Sequence, residues 1–244
     1  MFLIDLANPT KFLTLTARLL PWLAAATAVL LLIGLYQSAT APDDYQQGAT
    51  VKIMFIHVPA ALLGMIGWGV MSLAALGTLV WRHPLADVAA KTAAPLGAAF
   101  TLMCLVTGSL WGRPMWGTYW VWDARLTSVL VLFLMYLGVI ALWRTMDDPS
   151  RAARAAAVLT LVGAINLPII KFSVNWWNTL HQDASIVRLD GPAIHPAILT
   201  PLLIMMVAFT LLFFTLHLAA MRNEIMRRRV RTLMIMQAQA AAGA

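Results

Sequence analysis

Long apolar runs divide this sequence and restrict what it can fold into. Each run is close to the roughly 20 residues that a helix needs to cross a bilayer. Lipid offers no partners for unpaired backbone groups, so spanning segments must be helical. Hydrophobic residues make up 61% of the chain and charged residues 11%, which excludes an ordinary soluble domain. We therefore predict an all-α membrane protein with six transmembrane helices. The predicted spans are 19–38, 53–81, 92–112, 126–143, 155–170 and 192–221.

The basic residues alternate between connections in a way that predicts the topology. Twelve of the seventeen lysines and arginines lie before the first span, in two of the connections and after the last span. Cytoplasmic connections carry such an excess, so both termini are predicted to be cytoplasmic. The connections 39–52, 112–125 and 171–191 are then predicted to face outward. Topology accounts for the net charge of +7, and no nucleic-acid partner is predicted.

The chain is predicted to form a single membrane domain, residues 1–221, followed by a basic cytoplasmic tail, residues 222–244. Its only cysteine, Cys104, lies in an apolar run, which excludes an intrachain disulfide. The residues at 39–41, Ala-Thr-Ala, resemble a signal-peptide cleavage site, but the apolar run before them is longer than a usual signal core. We therefore expect the first span to be retained. A kink is predicted in the fifth span at Asn166 and Pro168.

The outward connection after the third span is crowded with aromatic residues. Four of the ten tryptophans lie in the stretch "WGRPMWGTYWVW", within the predicted tryptophan-rich loop at 111–128. One interpretation is an interfacial belt, because Trp and Tyr favour the headgroup level of a membrane. We favour a ligand platform, since a belt is spread around a protein and the inward connections carry no comparable cluster. In a helical conformation, Trp116, Trp120 and Asp123 would share one face of a helix lying flat on the membrane.

The residue types in this loop describe the ligand that a platform would hold. Aromatic rings stack on a planar apolar molecule, and arginine side chains pair with carboxylates. A porphyrin with two propionates fits this description better than a quinone or an amphipathic lipid does. The residues predicted to contact it are Trp116, Tyr119, Trp120, Trp122, Asp123, Arg113 and Arg125.

Two histidines lie on the predicted outward side together with the tryptophans. His57 is near the outward end of the second span, and His181 is in the connection after the fifth. Neutral imidazole is a common axial ligand of haem iron, so the pair predicts a six-coordinate haem site at the membrane boundary. His195 is a reserve ligand on the same side. His83 and His217 are interpreted as structural.

Asp123 has two compatible interpretations. It directly precedes the apolar run of the fourth span, where an aspartate typically caps a helix. It could also orient a ligand or Arg125. We take capping as its primary role.

The stretch "WGTYWVWD" at 116–123 resembles the tryptophan-rich signature of the haem-handling proteins of cytochrome c biogenesis. Together with "HVPAA" at 57–61 and "WWNTLHQ" at 176–182, it is similar to the cytochrome c maturation protein C family, also called haem exporter protein C. The resemblance covers about residues 20–200 and includes all six spans. Tyr119 occupies a position where some relatives have tryptophan.

This resemblance implies a specific function. Family members hold b-type protohaem IX transiently on the periplasmic face of the bacterial inner membrane, with His57 and His181 as axial ligands here. The haem then passes to a periplasmic haem chaperone. Cytochrome c maturation proteins A, B and D form the associated ABC-type complex. The resemblance implies a haem-binding and transfer subunit that is not an enzyme, with ATPase activity in a partner subunit. Consistent with this, the chain has no GxxxxGK[ST] phosphate loop.

Two other functions are compatible with a membrane protein of this size. A b-type haem redox subunit that exchanges electrons with a quinone would need ligands deep within the spans. A transporter with a central pathway would need ionisable groups near mid-membrane. The first, third and fourth spans offer only Ser and Thr there, and the candidate ligands lie at the water boundary. We therefore favour haem binding and transfer.

Overall fold

The computed structural model describes residues 7–182, 185–186 and 188–242, and in these residues the protein is helical with short connections. Six segments are long and apolar enough to span a membrane, and α5 and α6 together form one of them. The predicted all-α fold with six spans is confirmed. The helices are α1 (Pro9–Thr40), a 3₁₀ helix (Ala49–Ile53), α2 (Met54–Leu79), α3 (Ala86–Trp116), α4 (Ala124–Thr145), α5 (Pro149–Gly163), α6 (Asn166–Trp176) and α7 (Pro196–Ala242).

Three helices begin at an asparagine or aspartate whose side chain caps them. Asn8 Oδ1 accepts a hydrogen bond from the backbone N–H of the second residue of α1, and Asp148 does the same for α5. Both helices begin with proline, whose missing N–H costs nothing in the first turn. Asp123 caps α4 in the same manner. These short polar side chains satisfy N–H groups that would otherwise lack partners at the ends of apolar helices.

The centre of the bundle is formed by α2 and α3, which pack closely along each other, with α4, α5 and α7 around them. The rings of Trp68 and Tyr136 meet edge to face, with centroids 4.8 Å apart. Trp68 Nε1 donates to the carbonyl of Thr160 at 3.0 Å, and Tyr136 Oη donates to the carbonyl of Gly64 at 2.8 Å. Gly97 lies so close to the Tyr136 ring that an added Cβ would stand 2.2 Å from it. Within lipid the hydrophobic effect does not drive helices to associate, so close packing at small residues and interhelical hydrogen bonds stabilise the bundle.

The last helix extends far beyond a membrane. At about 1.5 Å per residue, the 47 residues of α7 cover roughly 70 Å, against a hydrocarbon core of about 30 Å. The predicted sixth span and the described part of the predicted tail are therefore one continuous helix, and residues 243–244 lie outside the described part of the chain. Glu224 ties the end of the span to α3, because it accepts from Lys91 Nζ at 2.9 Å and is also paired with Arg228.

The predicted kink in the fifth span is present as a break between α5 and α6. Helix α5 ends at Gly163 and α6 begins at Asn166. Pro168 has no N–H to donate to the carbonyl of Ala164, which instead accepts from Leu167 at 3.1 Å. The side chain of Asn166 donates to the carbonyl of Ser128 on α4 at 2.8 Å and fixes the break against the neighbouring helix.

Candidate functional site

The tryptophan-rich connection between α3 and α4 is not helical, so the helical face that would have joined Trp116, Trp120 and Asp123 does not form. Helix α3 ends at Trp116, where Gly117 adopts a left-handed conformation (φ 76°) and its N–H donates to the carbonyl of Arg113 at 3.1 Å. Glycine reaches this conformation without steric cost, so it ends the helix. Residues 117–123 form no helix or strand. Trp116 and Trp120 therefore lie on separate segments instead of on one helical face.

The aromatic residues of this connection form an inner and an outer pair. In the inner pair, Trp116 and Trp120 are partly buried, and Trp120 Nε1 is buried without a hydrogen-bond partner in the described part of the chain. The Trp116 ring packs edge-on against His181, with ring centroids 4.9 Å apart. In the outer pair, Tyr119 and Trp122 are exposed. The Trp120 ring packs against that of Trp122, with centroids 5.5 Å apart, so Trp116 is the residue of this connection whose ring contacts His181 in the described structure.

His57 lies in the first turn of α2, and its ring is held by α3. Its Nδ1 is 3.1 Å from the carbonyl oxygen of Cys104 and 3.1 Å from Thr107 Oγ1. A carbonyl can only accept, so Nδ1 carries the proton and Nε2 keeps its lone pair. The edge of Trp111 packs against the same ring, with centroids 5.6 Å apart. His57 is thus set in the tautomer whose Nε2 can bind a metal, with the second-shell hydrogen bond that metal-binding histidines usually have.

Gly108 supplies the space that the His57 ring occupies. A Cβ at this position would lie 2.9 Å from His57 Cε1, closer than real contacts allow. Helix α3 therefore provides both the hydrogen bond, through Cys104 and Thr107, and the cavity for the ring. Sequence reasoning missed Thr107 and Gly108, because small residues are frequent in membrane helices and carry no distinctive pattern.

His181 follows α6 and lies beside Asp123. The distance from His181 Nδ1 to Asp123 Oδ2 is 3.8 Å, too long for a hydrogen bond, and Nδ1 is buried without a partner among the described residues. Burial, and then the positive charge of Arg125, lower the pKa of His181 to about 4, while the Asp123 carboxylate acts in the opposite direction. The imidazole is therefore neutral near pH 7, the form in which it coordinates iron.

The two histidines lie at the same end of the bundle. Near the end of α3, Trp111 contacts His57 and Trp116 contacts His181. Trp111 is itself held by Gln47, whose Oε1 accepts from Trp111 Nε1 at 3.0 Å. Gln47 was not predicted, because the side chain that it supports is 64 residues away in the sequence.

Asp123 caps α4, as the sequence predicted, and its second carboxylate oxygen lies beside His181. Its Oδ1 accepts from the N–H of Leu126 at 2.7 Å and caps α4. Its Oδ2 faces His181 and accepts from the N–H of Leu180 at 3.4 Å. One carboxylate thus joins the start of α4 to the segment that carries the histidine.

The two arginines predicted to pair with ligand carboxylates make contacts within the protein. Arg125 Nε donates to Ser173 Oγ at 3.0 Å and so connects α4 with α6. Arg113 donates to the carbonyl of Gly117, and its guanidinium lies 5.7 Å from the centroid of the Tyr119 ring. The contact of Arg113 stabilises the turn at Gly117, and that of Arg125 fixes α6 against α4. Pairing of either arginine with a ligand carboxylate remains a prediction.

The other histidines are placed as structural residues. His195 is exposed just before α7, and its Nδ1 accepts from a backbone N–H of the first turn at 3.2 Å. His217 is buried in α7 and stacks on Phe213, with ring centroids 5.8 Å apart. His83 Nδ1 accepts from a backbone N–H two residues on. The structural roles predicted for His83 and His217 agree with these contacts.

A shallow groove of about 410 Å³ borders the candidate site. It runs between residues 121–123 and residues 178–180, so it follows the segment that leads to His181. None of its lining residues comes from α2, which carries His57.

The donor set fits haem better than a bare metal ion. Among the described residues, no group of three or more His, Cys, Asp or Glu side chains could hold a metal ion. Haem brings its own equatorial nitrogens and requires only axial protein ligands, which two imidazoles supply. The buried and unpartnered Nδ1 of His181 and Nε1 of Trp120 are further polar atoms that a bound ligand, or the rearrangement that it causes, would satisfy.

Comparison with known proteins identifies similar chains. A family model described as "Heme exporter protein C" matches residues 2–236. The chain is 79% identical to the heme exporter protein C of Bradyrhizobium diazoefficiens, over 98% of this chain and 90% of that protein. It is 46% identical to the protein of that name from Paracoccus denitrificans, over 96% of this chain and 98% of that protein. For the Escherichia coli K12 protein of the same name the identity is 48%, over 91% of this chain and 90% of that protein.

Proposed function

The chain belongs to the haem exporter protein C family, and from this membership we propose that it binds haem at one end of its helical bundle and transfers it to another protein. The haem is b-type protohaem IX, which is cargo and not a resident cofactor. It is handled for the maturation of c-type cytochromes. The observation that carries this proposal is that His57 and His181 lie at one end of the bundle, each in edge contact with a tryptophan of α3.

His57 and His181 are the axial ligands in this proposal. For His57, the hydrogen bond from Nδ1 to the Cys104 carbonyl supports coordination through Nε2. For His181, the low pKa supports coordination at neutral pH, because little free energy is needed to keep the ring deprotonated. Trp116 and Trp120 provide the aromatic walls next to His181. Asp123 orients His181 and does not itself touch the iron.

The unequal support of the two histidines suits a protein that releases its ligand. His57 is part of a helix and is fixed by α3, whereas His181 lies in a segment without helix or strand in its described residues. Movement of that segment would remove one axial ligand and leave the other in place. An electron-carrying haem subunit would instead be expected to hold both ligands within its spans. The position of His181 thus favours transfer over a role in electron exchange with a quinone.

The transfer face is on the periplasmic side of the bacterial inner membrane in this proposal. The basic residues of α7 after Met221 belong to the opposite end of the bundle, which the positive-inside rule places in the cytoplasm together with both termini. The exposed rings of Trp122, Trp176 and Trp177 provide apolar surface beside the site for a periplasmic haem chaperone. Cytochrome c maturation proteins A, B and D are the proposed partners in an ABC-type complex, and ATP hydrolysis is assigned to that complex.

A spectroscopic experiment on the full-length protein tests the proposal. The protein would be purified from haem-replete cells, and its haem content and absorption spectrum would be measured for the wild type, His57→Ala and His181→Ala. His195→Ala is the matched control, since it removes an exposed histidine from the same end of the bundle. We expect a bis-imidazole spectrum in the wild type and in the control, and loss of haem or a changed ligation state in the other two variants. Wild-type spectra for both His57→Ala and His181→Ala would overturn the assignment.

A further inference from the structure

A second groove lies at the other end of the bundle from the histidines. It has a volume of about 610 Å³ and is formed between α4 and α5. Its α4 contribution comes from near the C-terminal end of that helix, whereas Asp123 caps the N-terminal end. The groove is therefore separate from the candidate haem site. Its lining residues are Leu142, Arg154, Ala155, Val158, Leu159 and Val162.

The groove is apolar along its length and cationic at one end. From Arg154 to Val162, α5 rises about 12 Å, close to the roughly 15 Å that one leaflet contributes to a hydrocarbon core of about 30 Å. Val158 and Val162 remain more than half exposed. Both residues belong to a segment that is long and apolar enough to span a membrane, so we expect their exposed surface to face the membrane interior. The groove thus extends about one leaflet deep from a charged rim.

The charge at the rim is available to an external anion. Arg154 is exposed and forms no hydrogen bond or ion pair with any described residue. The Asp148 carboxylate, which interacts electrostatically with Arg154, already accepts hydrogen bonds from the first turn of α5. Arg144 and Arg151 lie at the same end of these helices, opposed by Asp147 and Asp148, so this corner carries three positive charges against two negative ones.

We propose that this groove is a binding site for an anionic phospholipid, with an acyl chain along the apolar floor and the phosphate on Arg154. Guanidinium–phosphate pairs are charge-assisted hydrogen bonds, and basic pockets between membrane helices are typical sites for anionic headgroups. A partner transmembrane helix would need a seam of about 20 residues across both leaflets. The groove covers only one leaflet and ends at the charge of Arg154, as expected for a site that binds one acyl chain and its anionic headgroup.

Native mass spectrometry of the full-length protein in detergent tests this site. The probes are palmitoyl-oleoyl phosphatidylglycerol and the corresponding phosphatidylcholine, titrated onto the delipidated protein. Both lipids carry a phosphate, but in phosphatidylcholine the choline cation opposes Arg154, so we expect the wild type to bind phosphatidylglycerol about two- to fivefold more tightly, the size of effect of an exposed charge pair. Arg154→Gln should abolish this preference and Arg154→Lys should keep most of it. Val158→Trp should lower the occupancy of both lipids by filling the groove.

Arg151→Gln is the matched control, since it removes an exposed positive charge one turn earlier on α5, and that residue does not line the groove. It should reduce the preference clearly less than Arg154→Gln does. The proposal would be overturned if the wild type bound both lipids equally. It would also be overturned if Arg151→Gln and Arg154→Gln reduced the lipid preference equally, or if Val158→Trp left lipid binding unchanged. A photo-crosslinker placed at Val162 in native membranes gives a further test. Labelling of a polypeptide in place of added phosphatidylglycerol would also overturn the proposal. Helical content and elution volume establish that the variants fold, independently of haem.

Discussion

The Nδ1 atom of His57 lies 3.1 Å from the carbonyl oxygen of Cys104, a residue of the neighbouring helix. The contact uses the main chain of Cys104, so the tautomer of the histidine depends on how α2 and α3 are aligned and not on the cysteine thiol. Thr107 and Gly108 lie within one turn of this carbonyl and define the remaining surroundings of the ring. Haem affinity should therefore respond to changes on α3 that never touch the haem.

Gly108→Ala should weaken haem binding by about 10- to 100-fold, the usual effect of disturbing the support of a metal-binding histidine. The new methyl group would lie 2.9 Å from His57 Cε1 and would force the ring to move. Gly69→Ala on α2 is the control, because a Cβ there has no neighbour within 4 Å. Haem titrations of both purified variants measure the effect. Equal affinities would show that α3 does not position His57.

Substitutions of Asp123 should separate helix capping from the orientation of His181. Asp123→Ala removes both and should lower the free energy of unfolding by about 1 kcal/mol through the lost cap. Asp123→Asn keeps a capping oxygen and removes only the negative charge beside His181. We expect Asp123→Asn to have nearly wild-type thermal stability and weakened haem retention. If Asp123→Asn retains haem as well as the wild type does, capping alone explains the role of Asp123.

The protonation of His181 should occur well below the usual range of histidine. Folding lowers the pKa of this side chain from 6.5 to about 4, chiefly through burial and then through Arg125. The neutral form is therefore favoured by the fold, and its contribution to stability is complete above pH 6.5 and decreases as the pH falls towards 4.

In the haem-free protein, the NMR resonance of the His181 ring, assigned with His181→Ala, should titrate near pH 4. Asp123→Asn should lower that midpoint and Arg125→Gln should raise it. A midpoint near 6.5 in the wild type would contradict the described burial.

Trp116→Ala and Trp122→Ala should have different consequences. Trp116 packs against His181, so its removal should reduce haem content by removing the aromatic wall and loosening the ligand. Trp122 is 77% exposed, so its removal should leave haem content unchanged and slow transfer to the acceptor. Haem content after purification and the rate of transfer to a purified periplasmic chaperone distinguish these effects. If both variants retain haem and change only membrane insertion, the tryptophans form an interfacial belt.

Much of the fold could be predicted because the relevant signals are local. Apolar runs identify the six spans, since each span must satisfy its own backbone within about 20 residues. Asp123 was correctly predicted as a helix cap from its place before an apolar run. The kink before Asn166 followed from proline chemistry. The aromatic spacing could not decide the conformation of residues 117–123, where Gly117 ends α3 and no helix follows until Ala124.

The sequence by itself determined that this chain is a helical membrane protein and which aromatic and histidine residues are candidates for a site. Only the tertiary structure decided how His57 is held, which tryptophans contact the histidines, and that Arg125 is engaged with α6. Hydropathy and capping act between neighbours in the sequence, whereas these contacts join residues about 50 positions apart. Such contacts depend on which helices pack together and in what register, and no local pattern encodes that arrangement.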